Sequence, residues 1–166
     1  MFKVNDIVIY RRMVCRIVGK HRSDFTREMC YILVPYNSDE GSTRMQVPVS
    51  NKAGHLRALI SRDEIEELIE ATARIDTLEN KPANMKSQYA NLLKTDDIHD
   101  LIAIIKTSYS RNQARIENHK KTAYVDDEYL KIAENYLFNE LAVALDMSYD
   151  AAREYFNMRV EQAAKE

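Results

Sequence analysis

Apolar residues in the first fifty positions come in short β-branched and aromatic runs. Ile7-Val8-Ile9-Tyr10, Met13-Val14-Cys15-Arg16-Ile17-Val18 and Cys30-Tyr31-Ile32-Leu33-Val34 read as strands. The polar segment Gly19–Glu28 reads as a projecting hairpin loop, and Asn37-Ser38-Asp39-Glu40-Gly41-Ser42 as a turn. A fourth run, Met45-Gln46-Val47-Pro48-Val49, carries a proline that cannot donate to a ladder, so it belongs on an edge. Four or five strands within about 55 residues predict a small, strongly bent barrel of SH3 or Tudor type.

From Ser61 the period becomes helical. Ser61-Arg62-Asp63-Glu64 is a capping box, followed by the stripe Ile65, Leu68, Ile69 and Thr72, with Glu64, Glu66, Glu67 and Glu70 on a solvated face. Asn80-Lys81-Pro82-Ala83-Asn84 breaks the chain, and a short helix follows with Met85, Tyr89 and Leu92 on one side. Thr95-Asp96-Asp97 caps a long helix with the stripe Ile98, Leu101, Ile102, Ile105 and Tyr109. Asp126 is the expected cap of a fourth helix, with Leu130, Ala133, Leu137 and Leu141, and Ser148 caps a fifth, with Ala152, Tyr155 and Phe156. The expected fold is α+β: a β-barrel domain over residues 1–58 and an all-α domain of about five helices over residues 59–166.

Charge sharpens this division. The net charge is −2, yet residues 1–62 hold 11 basic and 5 acidic side chains, a net of +6. Residues 63–80 carry −6, residues 81–122 carry +4 and residues 123–166 carry −6. Two separated basic blocks fit two acidic partners better than a uniform surface does. Cys15 and Cys30 each stand alone in an apolar run and read as reduced core thiols. No apolar stretch approaches a membrane span and Met-Phe-Lys-Val-Asn is not a signal peptide, so a cytoplasmic monomer without membrane contact is expected.

Catalytic chemistry finds little footing. The three glycines, Gly19, Gly41 and Gly54, form no phosphate-cradling loop. His21, His55, His99 and His119 lack metal-ligand spacing, and Asp96, Asp97 and Asp100 suit a helix N-terminus. No nucleophile comes with a neighbouring base, so no enzyme activity, metal, cofactor or small-molecule substrate is expected. Glu140–Ser148 leading into Tyr149–Asn157 has helix-turn-helix lengths. Its second helix offers one arginine against two acids within the −6 block, which favours a packed hairpin over groove insertion.

The opening Phe2-Lys3-Val4-Asn5-Asp6-Ile7-Val8-Ile9-Tyr10 resembles the F-x-V-G-D-x-V-V-Y start of the CarD/CdnL family of bacterial RNA-polymerase-binding proteins. The resemblance continues in order through Tyr31-Ile32-Leu33, Val47-Pro48-Val49 and Leu56-Arg57-Ala58-Leu59-Ile60. In the helical half it takes in Asn84, Tyr89, Ile102–Lys106, Arg111, Ala133, Leu137 and Glu140–Ala144. It implies a Tudor-like domain, shared with transcription-repair coupling factor, that docks on the polymerase β subunit, and a helical domain that contacts promoter DNA and stabilises the open complex.

On that basis Arg11, Arg22, Arg27 and Arg44, with Met45 and Val47, are the expected polymerase-binding residues. Weak, sequence-independent DNA contact is expected from Met85, Lys86, Gln88, Lys94, Lys106, Arg111, Arg115, Lys120 and Lys121. The sequence also departs from the family pattern. Asn5 replaces a glycine, Arg11-Arg12-Met13-Val14 stands for P-x-H-G-V, and Gln46 replaces a basic residue. Asn also visits left-handed turns, so the first change is tolerable. Met85 occupies the place of the family's DNA-wedging tryptophan, and Ser87 and Ala90 replace basic residues after it. Met85 is therefore expected either to wedge into DNA or to pack with Tyr89 and Leu92. Two alternatives stand beside the regulator: an adaptor that binds protein without touching DNA, and a helix-turn-helix protein.

Overall fold

The computed structural model describes residues 1–37 and 43–165. They form two compact units, residues 1–59 and 60–166, one built from strands and the other from helices.

The first unit is a five-stranded antiparallel sheet of β1 (Ile7–Tyr10), β2 (Met13–Arg22), β3 (Met29–Pro35), β4 (Met45–Pro48) and β5 (Leu56–Ala58). The strand order is β4-β3-β2-β1-β5. No ladder joins β4 to β5 among the described residues, so the sheet is open where a barrel was expected. It is nevertheless rolled. In a flat sheet β4 and β5 would lie about 19 Å apart, four strand spacings. Here one cleft of about 320 Å³ is lined by Val47 and Pro48 of β4, Tyr10 of β1 and His55 next to β5. The core on the concave face takes Val8, Cys15, Ile17, Tyr31, Leu33, Val47 and Leu56, at least one from every strand.

Pro48 sits on an edge strand, where its missing N–H costs no ladder bond. The loop expected over Gly19–Glu28 is shorter: β2 continues through Gly19, Lys20, His21 and Arg22, paired with β3, and only Ser23–Glu28 turns. A shift in register between Ile17 and Gly19 marks a bulge that bends the long hairpin. Ser38, Asp39, Glu40, Gly41 and Ser42, most of the expected turn before β4, lie outside the described residues. Asn5 has φ of 78°, the left-handed conformation that a glycine would supply at that position.

The second unit contains α1 (Arg62–Thr72), a 3-10 turn (Pro82–Asn84), α2 (Met85–Leu93), α3 (Ile98–Glu117), α4 (Tyr124–Leu145) and α5 (Tyr149–Ala164). Ser61 and Glu64 form the capping box, and Ile65, Leu68, Ile69 and Thr72 are all buried. Asp97 caps α3 through His99 N, and Ser148 caps α5 through Ala151 N. The buried face of α3 turns away from the expected stripe: Ile104, Ser108 and Asn112 are inside, whereas Tyr109 is 57% exposed. At 3.6 residues per turn Tyr109 returns to within about 20° of Ile98, so its exposure arises because the helix packs through the neighbouring Leu101, Ile104, Ser108 and Asn112 line.

Asp126 is not a cap. The N-cap of α4 is Ala123, and Asp126 lies within the first turn with its side chain fully buried. The buried face of α4 passes through Tyr129, while Leu130 is only half-buried. The α4–α5 corner closes on Asp146 at φ of 53°, with Met147 N donating to Ala142 O at 2.9 Å.

Both cysteines are free and buried, and burial pushes the Cys15 thiol up to about 11 from 9.0. The folded state thus holds Cys15 neutral where the unfolded chain ionises. Its contribution to stability is intact below pH about 9 and is lost as pH rises toward about 11. Alkylation at pH 8.5 followed by mass spectrometry should leave Cys15 unmodified in the native protein and label it in urea. Prompt native labelling of Cys15 would contradict the packing described.

Candidate docking and phosphate-contact surfaces

The helical unit is organised around one buried carboxylate. Tyr89 Oη donates to Asp126 Oδ1 at 2.6 Å, and Arg111 Nε donates to both carboxylate oxygens at 3.1 and 3.2 Å. Burial first, and then the neighbouring carboxylate, raise the Tyr89 phenol well above its usual range, so it remains a donor. Arg111 Nη1 also donates to Asn80 Oδ1, tying the segment before α2 to α3.

Other predicted DNA contacts are committed inside the unit as well. Lys106 Nζ donates to Thr72 O at 2.8 Å and Ile75 O at 2.6 Å, capping the C-terminus of α1 with a positive charge. Gln88 Nε2 donates to Glu79 O at 3.0 Å. Met85 is fully buried beside Tyr89 in the core. A wedge must present apolar surface to the duplex, and Met85 has none to present; packing is its place.

Lys86 and Lys94 are exposed, on α2 and at its C-cap. Arg111, Arg115 and Lys120 come together with Asn80, Pro82, Ala114 and Asn118 around a cleft of about 210 Å³. Arg115 Nε donates to Lys121 O at 2.7 Å, which fixes one edge of its guanidinium. Of the nine predicted DNA contacts, the structure thus gathers three at one cleft. Asn80 and Asn118 were not legible as members, since an asparagine beside a helix break or a helix end carries no mark of function.

The helix-turn-helix reading loses its one cation. Arg153 Nε donates to Glu134 Oε2 at 2.9 Å across α4 and α5. Nor is the acidic face of α1 wholly solvated. Arg159 Nη1 donates to Glu66 Oε1 at 2.8 Å and its Nη2 to Oε2, holding the Glu66 carboxyl below its usual range.

On the sheet unit, Arg11 and Arg12 form the two-residue turn between β1 and β2, with φ of 47° and 76°. Positive φ at both positions is the geometry that Asn-Gly fills without strain. The Arg11 guanidinium stands 5.5 Å from the Tyr10 ring centroid and lines the cleft at the β4 edge. Arg22 Nη1 donates to Arg27 O at 2.7 Å within the β2–β3 hairpin. Arg44 is exposed and Met45 half-buried, whereas the Val47 side chain points into the core and its backbone is paired with Tyr31 of β3, which leaves the neighbouring Gln46 backbone on the open edge. Lys52, Asn51 and His55 line the same cleft and were not anticipated from the sequence.

Among the described residues no group of three or more His, Cys, Asp and Glu could hold a metal ion, and no helix is long and apolar enough to cross a membrane. Comparison with known proteins gives no matching family model and no matching curated protein.

The placement of Met85 yields a prediction. Met85→Ala should lower stability by about 2–5 kcal/mol in urea titration. Met85→Trp should also destabilise, through overpacking. A Met85→Trp protein that is fully stable and binds DNA more tightly would contradict the buried position.

Proposed function

We propose that the chain is a CarD-like transcription regulator. Its sheet unit, with the SH3- or Tudor-type curvature suggested by its roll, docks on the RNA polymerase β subunit, and its helical unit contacts promoter DNA weakly through phosphates. The observation that carries the docking half is the strained Arg11–Arg12 turn beside the open β4 edge. A left-handed non-glycine residue costs about 1–2 kcal/mol. Arg12 is buried, so the charge that this turn presents is that of the exposed Arg11. A turn that keeps it at that cost, next to an edge strand, suits strand addition reinforced by charge.

A second reading, a polymerase- or protein-binding adaptor without DNA contact, draws on other facts. Met85 is buried, Lys106 is held at the end of α1, and Arg111 commits its Nε and one Nη1 bond inside the unit. Salt-dependent binding to duplex or forked DNA by the intact chain favours the regulator, and its absence even with polymerase present favours the adaptor.

The docking test uses two substitutions in the full chain. Arg11→Asn relaxes the turn, so its melting temperature should hold or rise while affinity for the β subunit falls severalfold. Arg44→Glu should weaken binding by a similar factor. Unchanged affinity in both proteins, measured by calorimetry, would refute this face.

A further inference from the structure

We infer that the cleft between Asn80 and Lys120 is a discrete binding site for a phosphoryl group. Its lining holds three cations, Arg111, Arg115 and Lys120, two carboxamides, Asn80 and Asn118, and no carboxylate. At about 210 Å³ it is smaller than the roughly 300 Å³ at which pockets for organic ligands begin. A tetrahedral oxyanion with a few waters fits; a whole nucleotide does not.

Two arginines give this cleft its character. Arg111 is held through Nε by Asp126 and through Nη1 by Asn80, and Arg115 is held through Nε by Lys121 O. Each guanidinium is therefore oriented before any ligand arrives, which removes much of the rotamer cost of binding. Planar guanidinium groups match phosphate oxygens in pairs, and a lysine adds a mobile point charge at the rim.

The negative pole of α3 lies close by and opposes an anion. Its final carbonyls are already occupied, however: Asn118 N donates to Ala114 O at 3.2 Å, His119 N to Ile116 O at 3.0 Å and Lys120 N to Arg115 O at 2.8 Å. About half an elementary charge at a helix end does not outweigh the two positive charges of Arg115 and Lys120 that remain once Asp126 has balanced Arg111. The Asp126 carboxylate that balances Arg111 is wholly buried behind it.

The site is independent of polymerase docking, and its ligand could be free phosphate or a phosphate of a nucleic acid. The test is melting of the intact protein against inorganic phosphate at constant ionic strength, with parallel titrations of one short duplex with and without 5′-phosphates. Lys120→Gln removes an exposed cation without touching the Asp126 network, and Lys131→Gln removes one on α4, outside the cleft and outside the expected DNA contacts. A saturable rise in melting temperature, with affinity about fivefold weaker in Lys120→Gln and unchanged in Lys131→Gln, is expected. Response to free phosphate assigns a small-anion site, and response only to a duplex assigns a nucleic-acid phosphate. Non-saturating stabilisation, or equal responses of the two variants to every probe, would overturn the assignment.

Discussion

A carboxylate with no solvent exposure is stable only if its charge is met, and in this protein the Asp126 carboxylate dictates the helical unit. Its partners come from α2 and α3: Tyr89 supplies a short hydroxyl bond and Arg111 a charged one to both oxygens. Removing a partner from such a buried pair typically costs about 3–5 kcal/mol, because the remaining charge cannot return to water. The network therefore fixes how three helices meet. It also fixes what Arg111 can do, since its Nε faces inward and its Nη1 holds Asn80.

The same economy runs through the basic block. Lys106 neutralises the end of α1 by taking Thr72 O and Ile75 O, so its charge serves architecture. Lys86, Lys94 and Lys120 are left exposed, with Arg115 anchored at one edge beside Lys120. Few phosphate contacts remain, which implies weak, salt-sensitive association of the kind that gains from a second anchor. The sheet unit supplies a candidate anchor in the Arg11–Arg12 turn, the described site where two adjacent bulky residues are held at positive φ.

Local signals were legible where the cause is local. The capping box at Ser61, the caps at Asp97 and Ser148, the edge position of Pro48 and the left-handed Asn5 all depend on neighbours within a few residues. The misread positions depend on partners far along the chain. An aspartate near a helix start reads as a cap; Arg111 and Tyr89, 15 and 37 residues away, make Asp126 a core group. Lys106 reads as a solvated cation until Thr72, 34 residues earlier, is placed against it. The β2–β3 ribbon extends beyond the core, so Lys20, His21 and Arg22 are exposed within a ladder and their polarity imitates a loop. Barrel closure was also beyond a single sequence, because strand count alone does not say whether β4 and β5 will pair.

The central claim is that the sheet unit, through its β4 edge and the Arg11 turn, is the surface that meets RNA polymerase. Hydrogen–deuterium exchange of the intact chain, with and without saturating bacterial core polymerase, tests it most directly. The account predicts slowed exchange at residues 43–49 and 10–13, where a docked strand would engage β4 and cover the turn, with α5 unchanged. Unaltered exchange throughout residues 1–59 would contradict it.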